Sequence, residues 1–399
     1  MKVLIISHMY PSSMQPVYGI FVQEQVRELI KQGCEIKVVA PMKATPFPIN
    51  KLRAKWRAYD QVPSIEEREG ISVYHPRYMS LPKNILFERN GENLYGSIKK
   101  LVKDIRKEFD FDLIHAHVAL PDGFAARKLA EDFDVPYAVT IHGEDFFKSI
   151  HLNEKAKEAI RLTMSDAAKV ILVSERLNKI NRKELEVPES KISVIHNGIN
   201  DLFLEPRTTQ KAYFPEGKIN ILSVSYLVER KGIEYNLRAL SRLKDEQPDF
   251  HYVIAGDGEE RQSLEQLTKE LGLENHVTFM GAVVLEVVKE LMDQSDIFCL
   301  PSWNEAFGVV YIEAMASENA VIGCLGEGVE EIITPHVDGL LVPSRDEEAL
   351  AKAFKSLIKQ PDLIHELAGN AVEKVKEGFT WKKNAQKIKD VYQDILNEK

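Results

Sequence analysis

Two glutamates eight positions apart, Glu305 and Glu313, lie within the stretch PSWNEAFGVVYIEAMA at residues 301–316. The run before them, IFCLPS, reads as a buried strand that Pro301 ends, because proline cannot donate to a ladder. After it, Phe307, Val310, Tyr311, Ala314 and Met315 recur at helical spacing. Gly308 falls at the mouth of that helix, where a backbone without Cβ lets a ligand come close. The first N–H groups of the helix, around Phe307 to Val309, have no partner within it. With the helix dipole they favour an anion such as phosphate. A glycosidase pair is a poor reading of the two acids. Such enzymes hold their carboxyls roughly 5–5.5 Å or 6.5–9.5 Å apart, and eight helical residues span about 12 Å. Carboxylates beside a phosphate site suit sugar hydroxyls instead, which donate strongly to an ionised acid. Phosphate on backbone N–H groups with a hydroxylated ring on either side is the layout of a nucleotide sugar.

A second set of candidates is histidine. His115 and His117 lie two apart on a strand-like run and so share a face. With His142 they could make a three-histidine metal site, but packing or polar lining is the simpler reading and no metal is expected. The first strand leads into SHMYPSSMQPVYG, which has no G-x-G-x-x-G turn, so a dinucleotide redox cofactor bound in the usual way is not expected.

The elements that must position these residues repeat one rhythm. In the first half, strand-like runs are KVLII (2–6), EIKVVA (35–40), FDLIHAH (111–117), YAVTI (137–141), KVILVS (169–174) and KISVI (191–195). Helical patterns such as GIFVQEQVRELIKQG and DGFAARKLAEDF fall between them. In the second half the runs are INILSVSYL (219–227), HYVIAGDG (251–258), VTFMG (277–281), DIFCLPS (296–302), AVIGCLG (320–326) and GLLVP (339–343). Several are apolar without alternation, as strands of a parallel sheet covered on both faces are. The expected fold class is α/β, with two Rossmann-like doubly wound domains facing across a cleft. Ligands bind beyond the carboxyl ends of strands in such sheets, and His115, His117, His142, Asp257 and Glu305 all fall there. The expected division is 1–205, 206–380 and a C-terminal helix over 381–399.

Bulk properties agree with a folded chain of this size. The 399 residues are 44% apolar and 28% charged, enough of each for folded domains with a polar exterior. No run approaches the ~18 apolar residues of a membrane span. The opening MKVLII is too short for a signal peptide, and Cys34, Cys299 and Cys324 form no metal spacing. A cytoplasmic location with reduced thiols is expected. Residues 1–196 carry 30 Lys and Arg against 26 Asp and Glu, a balance of +4, which leaves −13 for the rest of a chain whose net charge is −9. A basic first half suits an anionic acceptor or surface. The stretch KATPFPINKLRAKWRA (43–58) has five cations, no acid, and Phe47 and Trp56. It reads as a basic loop that could touch an anionic membrane. Overall acidity argues against nucleic acid.

The sixteen residues resemble the E-x7-E motif of retaining glycosyltransferases of family 4, which have the GT-B fold. VSYLVERKGIEYNLRAL (224–240) is similar to the family's "GRL…KG" segment, IAGDGEERQSLEQL (254–267) to its "GDGPE" turn, and EGVEEII…DGLLVP to its "GG-PEI…NG-LV" element. LIHAHVALPDG, VTIHGED and VIHNGIN match positions in its first half. The ordered set covers nearly the whole chain. The resemblance implies a metal-independent transferase with no cofactor. It would move a sugar, with retention, from a nucleotide-sugar donor (UDP favoured) to a hydroxyl of a glycan or lipid-linked acceptor in polysaccharide or glycolipid synthesis. The C-terminal helix would pack back towards the N-terminal domain.

Carried onto this chain, Glu305, Lys231 and His142 would be catalytic. The donor would meet Gly19, Tyr226, Arg230, Lys231, Met280, Ala282, Val283, Phe307, Gly308, Val309 and Glu313, with Glu313 on the ribose and Met280 to Val283 near the base. His117, His142 and Asp145 would line the acceptor side. Two positions depart from the family: Tyr226 replaces the usual arginine, and Glu327 stands where a small glycine is common. A nucleotide-sugar 2-epimerase and a catalytically silent sugar-nucleotide-binding protein are the competing readings.

Overall fold

The computed structural model describes residues 1–16, 18–44, 62–208, 213–246 and 249–398. The chain divides into two compact units, Met1–Gly198 with Trp381–Lys399, and Ile199–Thr380. Each is a sheet of mainly parallel strands covered by helices, so both α/β domains expected from the alternation are found.

The sheet of the N-terminal unit runs Ile192–Val194, Lys169–Leu172, Tyr137–Ile141, Leu113–His117, Lys2–Ile6, Glu35–Val39, Ile71–Tyr74 and Ile65–Arg68. Leu113–His117 and Tyr137–Ile141 are buried at every position, which is why their sequences do not alternate. The last pair is an antiparallel hairpin in which Arg68 faces Ile71 across Glu69 and Gly70, both at positive φ. Such a two-residue turn matches the twist of its strands. Its edge strand IEER is charged and only half-buried, so it carries no apolar signal in the sequence.

The C-terminal helix Trp381–Asn397 belongs to the N-terminal unit, as the resemblance implies. Its Ala385, Ile388, Val391, Tyr392 and Ile395 share one buried cluster with Val22, Val26 and Leu29 of the helix Ile20–Lys31. Asn384 accepts from Gln25 at 2.9 Å, and Lys389 donates to the Gln32 carbonyl at 2.7 Å.

The C-terminal unit has a six-stranded parallel sheet ordered Val277–Gly281, Phe250–Ala255, Ile219–Val224, Ile297–Cys299, Ala320–Cys324 and Leu340–Val342. In chain order that is 3-2-1-4-5-6, a doubly wound sheet whose direction of winding reverses between its first and fourth strands. The crevice at that reversal is where such sheets bind ligands. The two strands concerned, Ile219–Val224 and Ile297–Cys299, end earlier than their sequences suggest. The residues beyond them, SYL and LPS, leave the ladder to build the loops of the site.

Candidate active site

Two loops meet at the reversal point of the C-terminal unit. One follows Ile219–Val224 and ends at Gly232, which opens the helix Ile233–Ser241. Gly232 is at φ 72°, and a Cβ there would collide with the Pro301 carbonyl. Only glycine lets the first loop lie this close to the second. The consequence is chemical: Lys231, one residue earlier, reaches Glu305 in the second loop at 2.6 Å. Both side chains are largely buried, 13% and 15% exposed, so the pair is only partly screened by water. The Ser302 hydroxyl lies 3.5 Å from the same carboxylate oxygen.

Beyond Glu305 the chain turns at Gly308, in left-handed backbone at φ 89°, and enters the helix Val309–Ala316. The helix therefore starts two residues later than the apolar spacing implied, since a left-handed residue cannot continue it. The Tyr311 N–H turns back to the Gly308 carbonyl at 3.0 Å. The N–H groups of Val309 and Val310 have no earlier helical turn to bond to, and they make the anion-favouring end of the helix. The glutamate at the far end of the motif is Glu313. It retains some surface, but burial pushes its carboxyl up to about 7.

Other expected donor contacts separate into two kinds. Arg230 is exposed, and its carbonyl accepts the Trp303 N–H at 2.9 Å, whereas the half-buried Lys231 is the one that pairs with Glu305. Tyr226 is 78% exposed, a large aromatic left in solvent at the end of a core strand. Met280 is half-buried, Ala282 exposed and Val283 half-buried, beside Gly281, whose carbonyl accepts the Gly256 N–H at 2.8 Å. Phe307 is buried and packs its ring 5.9 Å from that of Phe379. Its side chain is core, which leaves only its backbone for a ligand.

The N-terminal unit also reverses, between Lys2–Ile6 and Leu113–His117. Gly19, at φ 68°, caps the helix Ile20–Lys31 there. His8 follows the first of these strands and is held by Asp122, whose Oδ2 accepts its N–H at 3.0 Å and lies 2.8 Å from its Nδ1. His117 Nδ1 and His142 Nε2 are 3.0 Å apart with their rings stacked. Burial holds His142 down to about 3 and His117 well below the usual imidazole range, so both are neutral at neutral pH. Asp145 is buried and accepts from Ala119 N–H at 3.0 Å. Burial outweighs that bond and pushes its carboxyl up to about 7. Asp145 lines a pocket with His8, Tyr78, Asn90 and Lys148.

The three-histidine metal reading does not hold. His115 Nδ1 lies 2.6 Å from the Tyr392 hydroxyl and its Nε2 2.7 Å from Thr140 Oγ1, so both nitrogens are engaged. Among the described residues no group of three His, Cys, Asp or Glu could hold a metal ion. Two D-x-D triplets occur, Asp110–Asp112 and Asp132–Asp134. Three of their acids serve structure: Asp112 takes the Lys2 N–H at 2.7 Å, Asp110 pairs with Arg106, and Asp132 pairs with Lys99. Of the basic stretch 43–58, residues 45–58 lie outside the described residues.

Comparison with known proteins agrees with this geometry. Residues 19–201 match the family profile described as Glycosyltransferase Family 4, and residues 205–374 that described as Glycosyl transferases group 1. TuaC of Bacillus subtilis strain 168, assigned by name to teichuronic acid biosynthesis, is 30% identical over 399 residues, 99% of each chain. The N-acetyl-alpha-D-glucosaminyl L-malate synthase of Bacillus anthracis is 26% identical over 387 residues, 95% of this chain and 94% of its own. Sucrose-phosphate synthase from Thermosynechococcus elongatus matches the fold with a TM-score of 0.83 at 22% identity, over 100% of both chains. Anabaena HepE in complex with UDP-glucose matches at 0.71 and 18% identity, over 99% of this chain and 100% of its own. This chain belongs to glycosyltransferase family 4: it is a sugar-transferring enzyme with the two Rossmann-like units of the GT-B fold.

Proposed function

We propose that the chain transfers a sugar, with retention and without a metal, from a UDP-sugar to a hydroxyl of a glycan or lipid-linked acceptor. It would do so in the cytoplasm, in the synthesis of a surface polysaccharide or glycolipid. The observation that carries this reading is the Lys231–Glu305 pair beside the helix mouth at Gly308. The diphosphate takes the N–H groups at the helix start, Glu305 the hydroxyls of the donor sugar, and Glu313 those of the ribose. Lys231 meets the charge that grows on the diphosphate as its bond to the sugar breaks. The acceptor oxygen bonds to the sugar carbon, and its proton passes to the departing phosphate oxygen. The protein then contributes position and electrostatics rather than a covalent intermediate. His117, His142 and Asp145 are assigned to the acceptor side, where neutral imidazoles exchange hydrogen bonds with hydroxyls. UDP as carrier is supported by the HepE complexes with UDP and UDP-glucose and by a pneumococcal O-GlcNAc transferase with UDP and GlcNAc. The test is turnover of a UDP-sugar panel against glycan and polyprenyl-phosphate-linked acceptors. UDP bound with no turnover of any pair would favour the silent binding protein that Tyr226 suggests.

The raised carboxyl of Glu313 gives this reading a pH signature. Ribose hydroxyls donate to the ionised form, so binding expels the proton that free Glu313 holds below pH of about 7. UDP should therefore bind close to tenfold more weakly for each unit below about 7 and level off above it. The phosphate of UDP titrates nearby, so the informative quantity is the wild-type profile minus that of Glu313→Gln. Titration calorimetry across that range measures it, and identical profiles would remove Glu313 from the ribose. In the free protein the sign is opposite. The protonated acid favours the fold below its ordinary 4.5, and that contribution is lost as pH rises through about 7.

A further inference from the structure

We propose that Glu327 is a positioning residue for sugar transfer, its carboxylate clamping the backbone of Glu305 so that the Glu305 side chain meets Lys231 and the donor sugar. The proposal rests on the role given to Glu305 above.

Glu327 is 8% exposed and lies in the loop after the strand Ala320–Cys324, the next strand out from Ile297–Cys299. Its Oε2 accepts the Glu305 N–H at 2.9 Å. The following residue completes the clamp, because the Gly328 N–H donates to the Glu305 carbonyl at 3.1 Å. Both backbone polar groups of Glu305 are thus held by the dipeptide 327–328, while its carboxylate is held by Lys231. The clamp is itself braced. Glu330 N–H donates to the Glu327 carbonyl at 3.0 Å, and Glu330 Oε2 accepts the Gly326 N–H at 3.0 Å. A glycine at 327 would leave the Glu305 N–H without this acceptor. An ionised acceptor on a backbone N–H makes a bond roughly twice as strong as a neutral one. Misplacement of a reacting group by about 1 Å costs on the order of 100-fold in rate.

The test uses the full chain with Glu327→Ala, Glu327→Gln and Glu327→Asp. Gln keeps the reach and an acceptor without charge; Asp keeps the charge and loses the reach. Two readouts are taken: kcat on the UDP-sugar that wild type turns over fastest, and the Kd of UDP alone, which lacks the sugar Glu305 touches. The proposal expects kcat to fall by about tenfold or more in Ala and Asp, to stay within about threefold in Gln, and UDP affinity to hold within about twofold throughout. Wild-type kcat in Asp and Ala, a Gln variant as slow as Ala, or UDP affinity lost in step with kcat would each overturn it. If Ala does not fold, the Gln and Asp pair carries the same comparison. Hydrogen exchange at the Glu305 amide reads the clamp without any donor: it should speed in Asp and stay slow in Gln. An unchanged rate in Asp sinks the clamp, whereas a wild type that turns over no UDP-sugar sinks only the functional reading.

Discussion

Glu305→Ala and Lys231→Ala each reduce turnover by about 10³-fold or more, and the double variant is little worse than the poorer single one. The size follows from electrostatics. A cation about 4 Å from a phosphate at an effective dielectric near 20 is worth about 4 kcal/mol before desolvation, and each 1.4 kcal/mol is about tenfold in rate. Non-additivity follows from the 2.6 Å contact, because each residue holds the other in place. Both variants should remain folded. The pair keeps some solvent, so losing one partner costs stability of about 1–3 kcal/mol for the group left behind. Turnover by purified variants, with melting curves alongside, checks this. Near-normal rates in both folded variants would remove the pair from the chemistry.

Gly308→Ala weakens nucleotide binding through backbone and packing, with no change of charge. A Cβ there would stand 2.6 Å from the ring of Tyr311 and 3.4 Å from Glu305 Cγ, at φ 89°. Tyr311 cannot yield, since it is fully buried with its hydroxyl bonded to the Leu300 carbonyl. The strain of about 1–2 kcal/mol for a side chain in left-handed backbone therefore adds to a displaced helix start. UDP affinity should fall by at least about 30-fold, equivalent to about 2 kcal/mol. Gly217→Ala supplies the control: φ 73° carries the same backbone penalty, with nothing within 4 Å of the added atom. It should lower the melting temperature and leave UDP binding intact. Equal binding losses in the two variants would show that the effect is general destabilisation.

Much of this arrangement is legible in the sequence because it is local. Apolar runs without alternation mark the buried parallel strands, and glycine between a strand and a helical pattern marks each binding turn. What is not legible depends on pairings across long stretches. Lys231 and Glu305 are 74 positions apart and meet only because Gly232 lies against Pro301. Glu327 stands out in sequence as a departure from the family, yet its bond to the Glu305 N–H needs the loop after the fifth strand of that sheet to fold onto the loop after the fourth. The histidines mislead for a related reason: the partner that occupies His115 is Tyr392, on a helix 277 residues later. Strand ends are overrun because SYL and LPS each carry a leucine, Leu227 and Leu300, as buried as the strands they follow, and only hydrogen bonding separates ladder from loop. The hairpin at Ile65–Tyr74 is hidden by its charged edge strand, where solvent on one side removes any need for apolar residues.

Hydrogen exchange of the full chain with and without saturating UDP tests the central claim most directly. The N–H groups at the start of the helix Val309–Ala316 should exchange markedly more slowly once UDP is bound, together with the loop that ends at Lys231. Bound UDP that leaves exchange across residues 305–313 unchanged, with protection appearing elsewhere, would contradict the account.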